Sequence, residues 1–399
     1  MSNFGTLFRF ELKKIVSRKL FVIIGILLAL ITCLAPFSGV IGSRYENGTA
    51  VESYFSYYIK EQSGKRAISG RPIDRELMEE TLAAYSKVPN VLRYSETPEY
   101  REYALAYNEV YTFIRQSLGI SNEEMKTRVP DEAELYRVKA DKIEEYLEER
   151  FTTDSEKEFW KKQYEKIEKP YKYCYHDAYS RLIDGFMTVS VLTMAFLATV
   201  LSGVFPGEKA TKTEGLILSS ALGKKSTYGA KMLAGITVSL GTALTVGILS
   251  FAVCLGFYGT EGFNLPLNFE VNFVMYPLSV GQGSLMLYGM LLISAALWAV
   301  FIMFVSEFIK NGMATLSASM LLLIVTNMVS FPVSARVLGQ IWDWLPLNYP
   351  SVWNMFDERT LPIFGKCFTS WQVLPLIYLC LVIMLFFFGK RKYERLSRE

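Results

Sequence analysis

Histidine is almost absent from this chain, which has only His176 in 399 residues. The sequence also lacks a CxxC pair and an HExxH segment, so the residue sets that hold zinc or support histidine-dependent catalysis are missing. We therefore predict no catalytic residue and no metal site. We expect His176, which stands between Tyr175 and Asp177, to be an ordinary surface residue.

Motifs for nucleophilic catalysis and nucleotide binding are missing as well. No GxSxG segment occurs. The pair Gly223-Lys224 has Leu218 where a phosphate-binding loop needs its first glycine, and Lys225 where that loop needs Ser or Thr. The chain is therefore not expected to be an enzyme, and we expect no cofactor bound to it.

Acidic residues are nearly absent from the apolar runs, with Asp184 and Glu307 at their edges. Carriers driven by protons or ions are expected to have carboxylates within their spans. The sequence therefore shows no energy source of its own.

The five cysteines decide little. Cys33, Cys254 and Cys380 fall inside apolar runs, where cysteine acts as a small apolar residue. Cys174 and Cys367 fall outside the runs, and the sequence leaves a disulfide between them open.

Long apolar runs are what the sequence has in abundance. Hydrophobic residues make up 51% of the chain and charged residues 20%, and the two kinds are segregated. A helix needs about 20 apolar residues to cross about 30 Å of hydrocarbon, so each run is a candidate transmembrane helix. The first run exceeds the roughly 7–15 apolar residues of a signal peptide, which predicts an uncleaved span. The runs are 20–41, 186–205, 233–257, 285–306, 312–331 and 373–389.

The distribution of Lys and Arg predicts the orientation. Outside residues 42–182 the chain has 19 basic residues, and 16 of them lie on one side if the N-terminus is cytoplasmic. The positive-inside rule then predicts six spans with both termini cytoplasmic. The net charge of +3 needs no nucleic-acid partner, because these lysines face lipid headgroups or a cytoplasmic protein.

The fold class predicted is an all-α membrane protein with a helical extracellular domain. That domain holds 17 of the 24 tyrosines, which either form its core or bind a ligand. Its helices are expected at 72–88, 98–119, 131–151 and 154–169. The predicted segments are an interfacial helix at 1–19, TM1 at 20–41, the extracellular domain at 42–182, TM2 at 183–205, a cytoplasmic loop at 206–231, TM3 at 232–257, an extracellular loop at 258–284, TM4 at 285–306, a turn at 307–311, TM5 at 312–331, an extracellular re-entrant region at 332–371, TM6 at 372–389 and a cytoplasmic tail at 390–399.

The region 332–371 is too interrupted to span a membrane and too apolar for a solvated loop. Trp342, Trp344 and Trp353 suit the membrane interface. We expect a short re-entrant or interfacial helix that ends near Pro346 and packs against neighbouring spans.

The segment FPGEKATKTEGLILSSALGKKSTYGAK, residues 205–231, carries a family resemblance. Its acid, its Thr-Glu-Gly turn, its Leu-Ile-Leu-Ser run and its lysines resemble the signature of type-2 ATP-binding-cassette (ABC-2) exporter permeases. The proline that usually follows the serine is replaced by Ala221-Leu222. The residues that fill the signature are Phe205, Glu208, Thr213, Glu214, Gly215, Leu216, Ile217, Leu218, Ser219, Ala221, Lys224, Lys225 and Lys231.

This resemblance implies six spans, an interfacial N-terminal helix and re-entrant helices between spans five and six. The large insert after span one is similar to that of Gram-positive bacterial members, which implies that the protein lies in a bacterial cell membrane. Residues 213–222 would form a coupling helix seated on a separate ATPase, present in two copies that bind ATP and Mg. The second permease would be a copy of this chain or a related one. The implied docking residues are Glu208, Glu214, Gly215, Leu216, Leu218 and Ser219.

The sequence also favours particular roles and alternatives. Glu208 is expected to pair with a local lysine or to orient the loop. The apolar, charge-poor spans favour an amphipathic cargo, a lipid or a hydrophobic peptide such as an antimicrobial. The alternatives are an extracellular peptide sensor or immunity protein, and a sodium-export permease of the same family. A further alternative is that residues 205–231 form a plain solvated loop with no docking role.

Overall fold

The computed structural model describes residues 3–46, 49–127, 131–150, 152–210, 212, 215, 226–272 and 274–396. The chain divides into two compact units. The span unit comprises Met1–Leu34, Leu182–Val253 and Leu285–Glu399. The insert unit comprises Ala35–Arg181 and Cys254–Ser284.

The described residues are mostly helical, with little sheet, as predicted for an all-α membrane protein. In chain order the helices are α1 (Asn3–Val16), α2 (Lys19–Leu34), α3 (Tyr54–Ala67), α4 (Arg75–Ser86), α5 (Asn108–Leu118), α6 (Asn122–Thr127), α7 (Glu132–Glu149), α8 (Asp154–Tyr164), α9 (Asp177–Leu201), α10 (Pro206–Ala210), α11 (Thr227–Tyr258), α12 (Leu267–Glu270), α13 (Val280–Ile309), α14 (Gly312–Met328), α15 (Arg336–Asp343), α16 (Val352–Met355) and α17 (Ser370–Leu396). The strands are β1 (Ser43–Glu46), β2 (Thr49–Ser53), β3 (Leu361–Ile363) and β4 (Lys366–Phe368).

Several helices indicate a multi-pass membrane protein. In the described part of the chain, five are long and apolar enough to cross a bilayer. They span Lys19–Gly39, Asp177–Glu208, Thr227–Tyr258, Val280–Ile309 and Ser370–Arg395.

The predicted fifth span, 312–331, forms the shorter apolar helix α14 of 17 residues. At 1.5 Å per residue it is about 26 Å long, slightly less than the roughly 30 Å of hydrocarbon. Asn311 caps its first turn by accepting a hydrogen bond from the Ala314 backbone amide at 3.2 Å. The helix ends at Met328, shortly before Pro332, whose ring disfavours helical backbone in the residue before it.

Helices α9, α11, α13 and α17 each extend beyond a predicted span boundary. Helix α9 starts at Asp177 rather than at residue 183, and α11 starts at Thr227, inside the loop predicted at 206–231. A helix of 32 residues such as α11 is about 48 Å long, so its ends project past the hydrocarbon. Helix α9 ends at Leu201, before the predicted boundary at residue 205, so residues 202–226 lie between it and α11 in sequence.

Helices α9 and α13 form the centre of the span unit. Of their most apolar windows, 61% is buried, against 11% for α2 and 17% for α17. The Trp298 indole of α13 donates to the Met194 carbonyl of α9 at 3.0 Å. Within the same unit Ser190 of α9 donates to the Pro350 carbonyl at 3.1 Å, so the loop after α15 packs onto this centre.

The insert unit is largely helical, as predicted, but it also contains the β1–β2 hairpin. The helix predicted at 98–119 is broken, because its first half forms a π turn at Tyr100–Ala104 and a 3-10 turn at Leu105–Tyr107. Its predicted end is confirmed, since Gly119 has a φ of 67°, the left-handed conformation that glycine tolerates. The predicted capping box is also confirmed, because Ser121 and Glu124 exchange hydrogen bonds.

Most tyrosines of this unit serve as core. Ten of the 17 are buried, and the Tyr171 hydroxyl donates to Asn268 at 3.0 Å. Asn268 lies in the segment Cys254–Ser284, and this hydrogen bond joins that segment to the rest of the insert unit. The sequence predicted an extracellular loop at 258–284 and gave no sign that it packs with the insert.

Candidate functional site

Four charged side chains meet at the base of the loop that resembles the exporter signature. Glu208 Oε1 accepts hydrogen bonds from Lys231 Nζ at 2.5 Å and from Lys14 Nζ at 2.7 Å. The second carboxylate, Glu11 Oε2, lies 3.7 Å from each of the two amines. We call these four residues the loop-base cluster.

The loop-base cluster is deeply buried. The Lys231 side chain is 0% exposed, those of Glu11 and Glu208 are 3% and 5% exposed, and that of Lys14 is 30% exposed. Two amines and two carboxylates balance in formal charge, and burial of charge is tolerable only where such pairing occurs. Lys231 also donates to the Val204 carbonyl at 3.3 Å and lies over the Phe205 ring.

Three elements bring the cluster together. Glu11 and Lys14 lie one turn apart on α1, Glu208 lies on α10, and Lys231 lies on the first turns of α11. The Phe4 ring of α1 approaches the backbone of α11 at Gly229, so α1 packs along the start of α11. Both ends of the loop are thereby joined to one another and to the N-terminal helix.

The structure describes only part of the predicted docking set. Glu208 is buried and paired with lysines, which confirms the expected pairing with a local lysine. Gly215 is exposed, with open space where a side chain would project. The predicted residues Glu214, Leu216, Leu218 and Ser219 lie outside the described residues.

The region after α14 contains the predicted short helix, α15, which ends at Asp343 close to Pro346. Trp342 donates its indole hydrogen to the Val329 carbonyl at 2.8 Å, and Trp353 on α16 is 72% exposed. Trp344 follows α15 directly, and its carbonyl accepts a hydrogen bond from Tyr378 of α17 at 2.6 Å.

The same region contains a feature that the sequence did not predict, the β3–β4 hairpin. Beside it, Arg359 pairs with Asp343 at 2.6 Å and with Asp357. Sequence spacing gave no signal for this pairing, because 16 residues separate Arg359 from Asp343.

The expectation that His176 is a surface residue is wrong. Its side chain is 1% exposed, its Nε2 atom lies 2.9 Å from a Glu270 carboxylate oxygen, and its Nδ1 atom lies 2.8 Å from the Cys174 carbonyl. Burial by itself lowers the pKa of His176, but Glu109 and Glu270 outweigh it and raise the pKa to about 9. The imidazole is therefore charged at neutral pH, and both ring nitrogens donate.

His176 belongs to a larger buried network in the insert unit. Lys65 Nζ contacts Glu109 at 2.6 Å, and both Glu61 and Asp177 at 3.0 Å. Burial lowers the pKa of Lys65, but these carboxylates reverse that effect and raise it well above the usual value. Burial raises the pKa of Glu109, while Lys65 and His176 together lower it to about 2. The network ties α3, α5 and the start of α9 together.

All five cysteines, Cys174 and Cys367 included, are free thiols. No group of three or more His, Cys, Asp or Glu side chains suitable for a metal ion occurs in the described part of the chain.

Comparison of the chain with protein-family models, curated proteins and solved structures finds no match.

Proposed function

We propose that this chain is the permease subunit of an ABC-2 type exporter, driven by a separate ATPase that docks on residues 206–231. It has six spans and both termini in the cytoplasm of a bacterial cell. Two copies of the ATPase, which bind ATP and Mg, act on a pair of permeases, formed by this chain with a second copy or a related chain.

The observation that carries the proposal is the loop-base cluster. Glu208 lies at the start of the loop and Lys231 at its end, so a force applied to the loop acts on α10 and α11 together. Lys14 extends the connection to α1. Separating these groups would leave an unpaired buried charge, which costs about 3–5 kcal/mol, so the three elements move as one body.

The loop itself has the chemistry of a docking segment. Gly215 is exposed and bears no side chain, which permits close approach of a partner surface. In the proposal Leu216 and Leu218 supply the apolar contact, and Glu214 and Ser219 the polar contacts. Glu208 acts from beneath the loop, because its carboxylate is occupied by lysines.

The span unit supports an amphipathic cargo. A pocket of about 260 Å³ lies between α13, α14, α17 and residues 345–347. Its lining is almost wholly hydrocarbon and aromatic, with Trp298, Phe301 and Pro346 among the lining residues. Such a surface accepts an acyl chain or an apolar side chain, whereas a hydrated ion gains nothing from it.

The membrane is a further partner in this proposal. Val337, Leu338 and Ile341 project from α15 with at least 60% exposure, and Trp353 is more exposed still. Trp342 and Trp353 suit the interface between headgroups and acyl chains, where an indole has both an apolar body and a polar edge.

Copurification tests the docking proposal. The tagged chain is solubilised from its host in mild detergent, and the material that copurifies is assayed for ATP hydrolysis and identified by mass spectrometry. We expect an ATPase subunit with a phosphate-binding loop, and we expect the double change Gly215→Asp with Leu218→Asp to release it. Leu92→Asp is the matched control, because it places the same acid on an exposed residue of the insert unit.

A second experiment distinguishes binding of the ATPase from the coupling of ATP hydrolysis to transport. The double change Glu208→Gln with Lys231→Met removes the direct bond between the two ends of the loop. We expect the ATPase to remain bound and transport-linked ATP hydrolysis to fall at least fivefold. Absence of any ATPase from the wild-type material, or its retention by the Gly215 and Leu218 variant, would refute the docking proposal.

Reception of an extracellular peptide is the second candidate function. A pocket of about 430 Å³ in the insert unit, with Leu92, Tyr94 and Glu123 in its lining, favours it. Exporter and receptor are compatible functions of one chain. A change in the ATPase rate upon addition of peptide would identify a protein that performs both.

A further inference from the structure

The insert unit contains an open pocket that the proposed transport function does not use. It lies between the end of α4, the loop 87–94, α5 and the start of α6, and its volume is about 430 Å³. Binding sites for small molecules and for peptide side chains have volumes of this order and combine an apolar floor with a few polar groups.

The floor of the pocket is aromatic and rigid. Tyr85 and Tyr111 stack with 3.5 Å between ring centroids, and neither is more than 2% exposed. Tyr94 packs edge-on against Tyr85, with 6.3 Å between centroids. The Tyr111 hydroxyl donates to Asn122 at 3.2 Å, which fixes the polar edge of the floor.

The rim of the pocket exposes apolar side chains to solvent. Leu92 is 100% exposed and Val91 is 49% exposed, although both belong to a loop on a charged unit. An apolar group that packs against Leu92 removes exposed hydrocarbon from water, so the rim favours an apolar part of a ligand.

The polar groups of the pocket favour a cation. Glu123 at the rim accepts a hydrogen bond from the Asn90 amide at 3.4 Å, and in the described part of the chain no lysine or arginine pairs with it. The insert unit as a whole has 29 acidic and 23 basic residues. Its field therefore attracts positively charged ligands towards a pocket whose own carboxylate is available.

We propose that this pocket binds a cationic peptide from outside the insert unit. An aliphatic side chain of the peptide packs between Leu92 and Tyr94. The ammonium or guanidinium group of a basic side chain of the same peptide pairs with Glu123. The side-chain amides of Asn90 and Asn122 bind the peptide backbone. This inference is independent of ATPase docking, because it rests on residues of the insert unit alone.

A carbohydrate fits these observations less well. Sugar binding commonly uses an open aromatic face, whereas the faces of Tyr85 and Tyr111 cover each other. Exposed aliphatic side chains such as Leu92 and Val91 match the side chains of a peptide better than the hydroxyl groups of a sugar.

The test uses the full chain in lipid nanodiscs and six synthetic peptides. Three are acetylated tripeptide amides made of two leucines and one arginine, with arginine at each position in turn. The other three carry citrulline in place of arginine, which keeps the shape and removes the charge. Binding is measured by saturation-transfer NMR at low and high salt.

We expect at least one arginine peptide to bind about threefold more tightly than its citrulline counterpart, the size of effect that a rim-exposed ion pair gives. Glu123→Gln should abolish that preference, while Leu92→Ser should weaken both peptides. Glu158→Gln is the matched control, because Glu158 is an exposed glutamate on α8 and does not line the pocket.

Four results would overturn the inference. The first is that no arginine peptide binds, and the second is that arginine and citrulline peptides bind equally to the wild-type chain. The third is that Leu92→Ser changes the oligomeric state in light scattering while peptides do not bind, which assigns the rim to a second copy. Binding of chitotriose in place of the peptides would assign the pocket to a carbohydrate and would likewise refute the proposal.

Discussion

At the scale of single residues, the charge state of a buried side chain in this protein is set by the charged groups that face it. His176 is almost fully buried, yet it is charged at neutral pH because Glu109 and Glu270 face it. The Lys65 amine is likewise surrounded by three carboxylates. Removal of one partner from such a network leaves another group charged and unpaired.

Replacement of His176 with glutamine should destabilise the insert unit in a pH-dependent way. The folded-state pKa of about 9 lies above the usual 6.5, so the stabilisation is complete below pH 6.5 and is lost as the pH rises through 9. We expect His176→Gln to cost on the order of 2 kcal/mol at pH 6 and much less at pH 9.5.

Thermal unfolding of the full chain in detergent, followed by tryptophan fluorescence at both pH values, measures this effect. Gln163→Asn on α8, outside the network, serves as the control and should give the same small change at both pH values. An effect of His176→Gln that is constant between pH 6 and pH 9.5 would show that the imidazole contributes by packing and not by charge.

At the scale of elements, the loop-base cluster links three helices that are far apart in sequence. Lys14 and Glu208 are 194 positions apart, and Glu208 and Lys231 are 23 apart. Amphipathic periodicity predicts that α1 is a helix with one apolar face. It does not predict which acids and amines of other helices meet that face, because their contacts depend on how the helices pack.

The losses of folding stability caused by Lys231→Met and by Glu208→Gln should not add in the double variant. Lys231→Met leaves Glu11 and Glu208 buried near a single amine, and we expect a loss of about 3–5 kcal/mol. Adding Glu208→Gln to Lys231→Met should restore part of this loss, since the remaining pair, Glu11 and Lys14, is neutral overall.

Melting temperatures of the two single variants and the double variant, measured in the same detergent, give the coupling energy. Lys390→Met, near the C-terminal end of α17, is the control for loss of a basic residue at a site outside the cluster. A double variant whose loss equals the sum of the single losses would mean that Glu208 and Lys231 do not interact.

At the scale of the whole molecule, the topology is the prediction that most needs measurement. The proposed arrangement places the insert unit outside the cell and the loop 206–231 inside it. In a chain whose native cysteines are replaced, Leu92→Cys should react with a membrane-impermeant maleimide in intact cells. Gly215→Cys should react only after the membrane is permeabilised.

Both positions are exposed in the described structure, so lack of reaction cannot come from burial. Cys380, retained alone in the apolar part of α17, is the control that should resist the reagent under both conditions. Reaction of the Gly215→Cys chain in intact cells would place the loop outside and refute both the topology and the docking proposal.

The sequence by itself determined the apolar helices and several of their ends. About 20 apolar residues are needed to cross hydrocarbon, so five runs are found again as long apolar helices. The Gly119 cap and the Ser121–Glu124 capping box were also predictable, because each depends on neighbours within a few residues.

Only the tertiary structure decided which polar groups are buried and what they meet. The burial of His176, the pairing of Glu208 with Lys14 and Lys231, and the union of residues 254–284 with the insert unit all join distant parts of the chain. Local patterns fix the type of element, since helix geometry and capping act over one or two turns. Burial and charge pairing depend on packing between elements, and no short window of sequence contains that information.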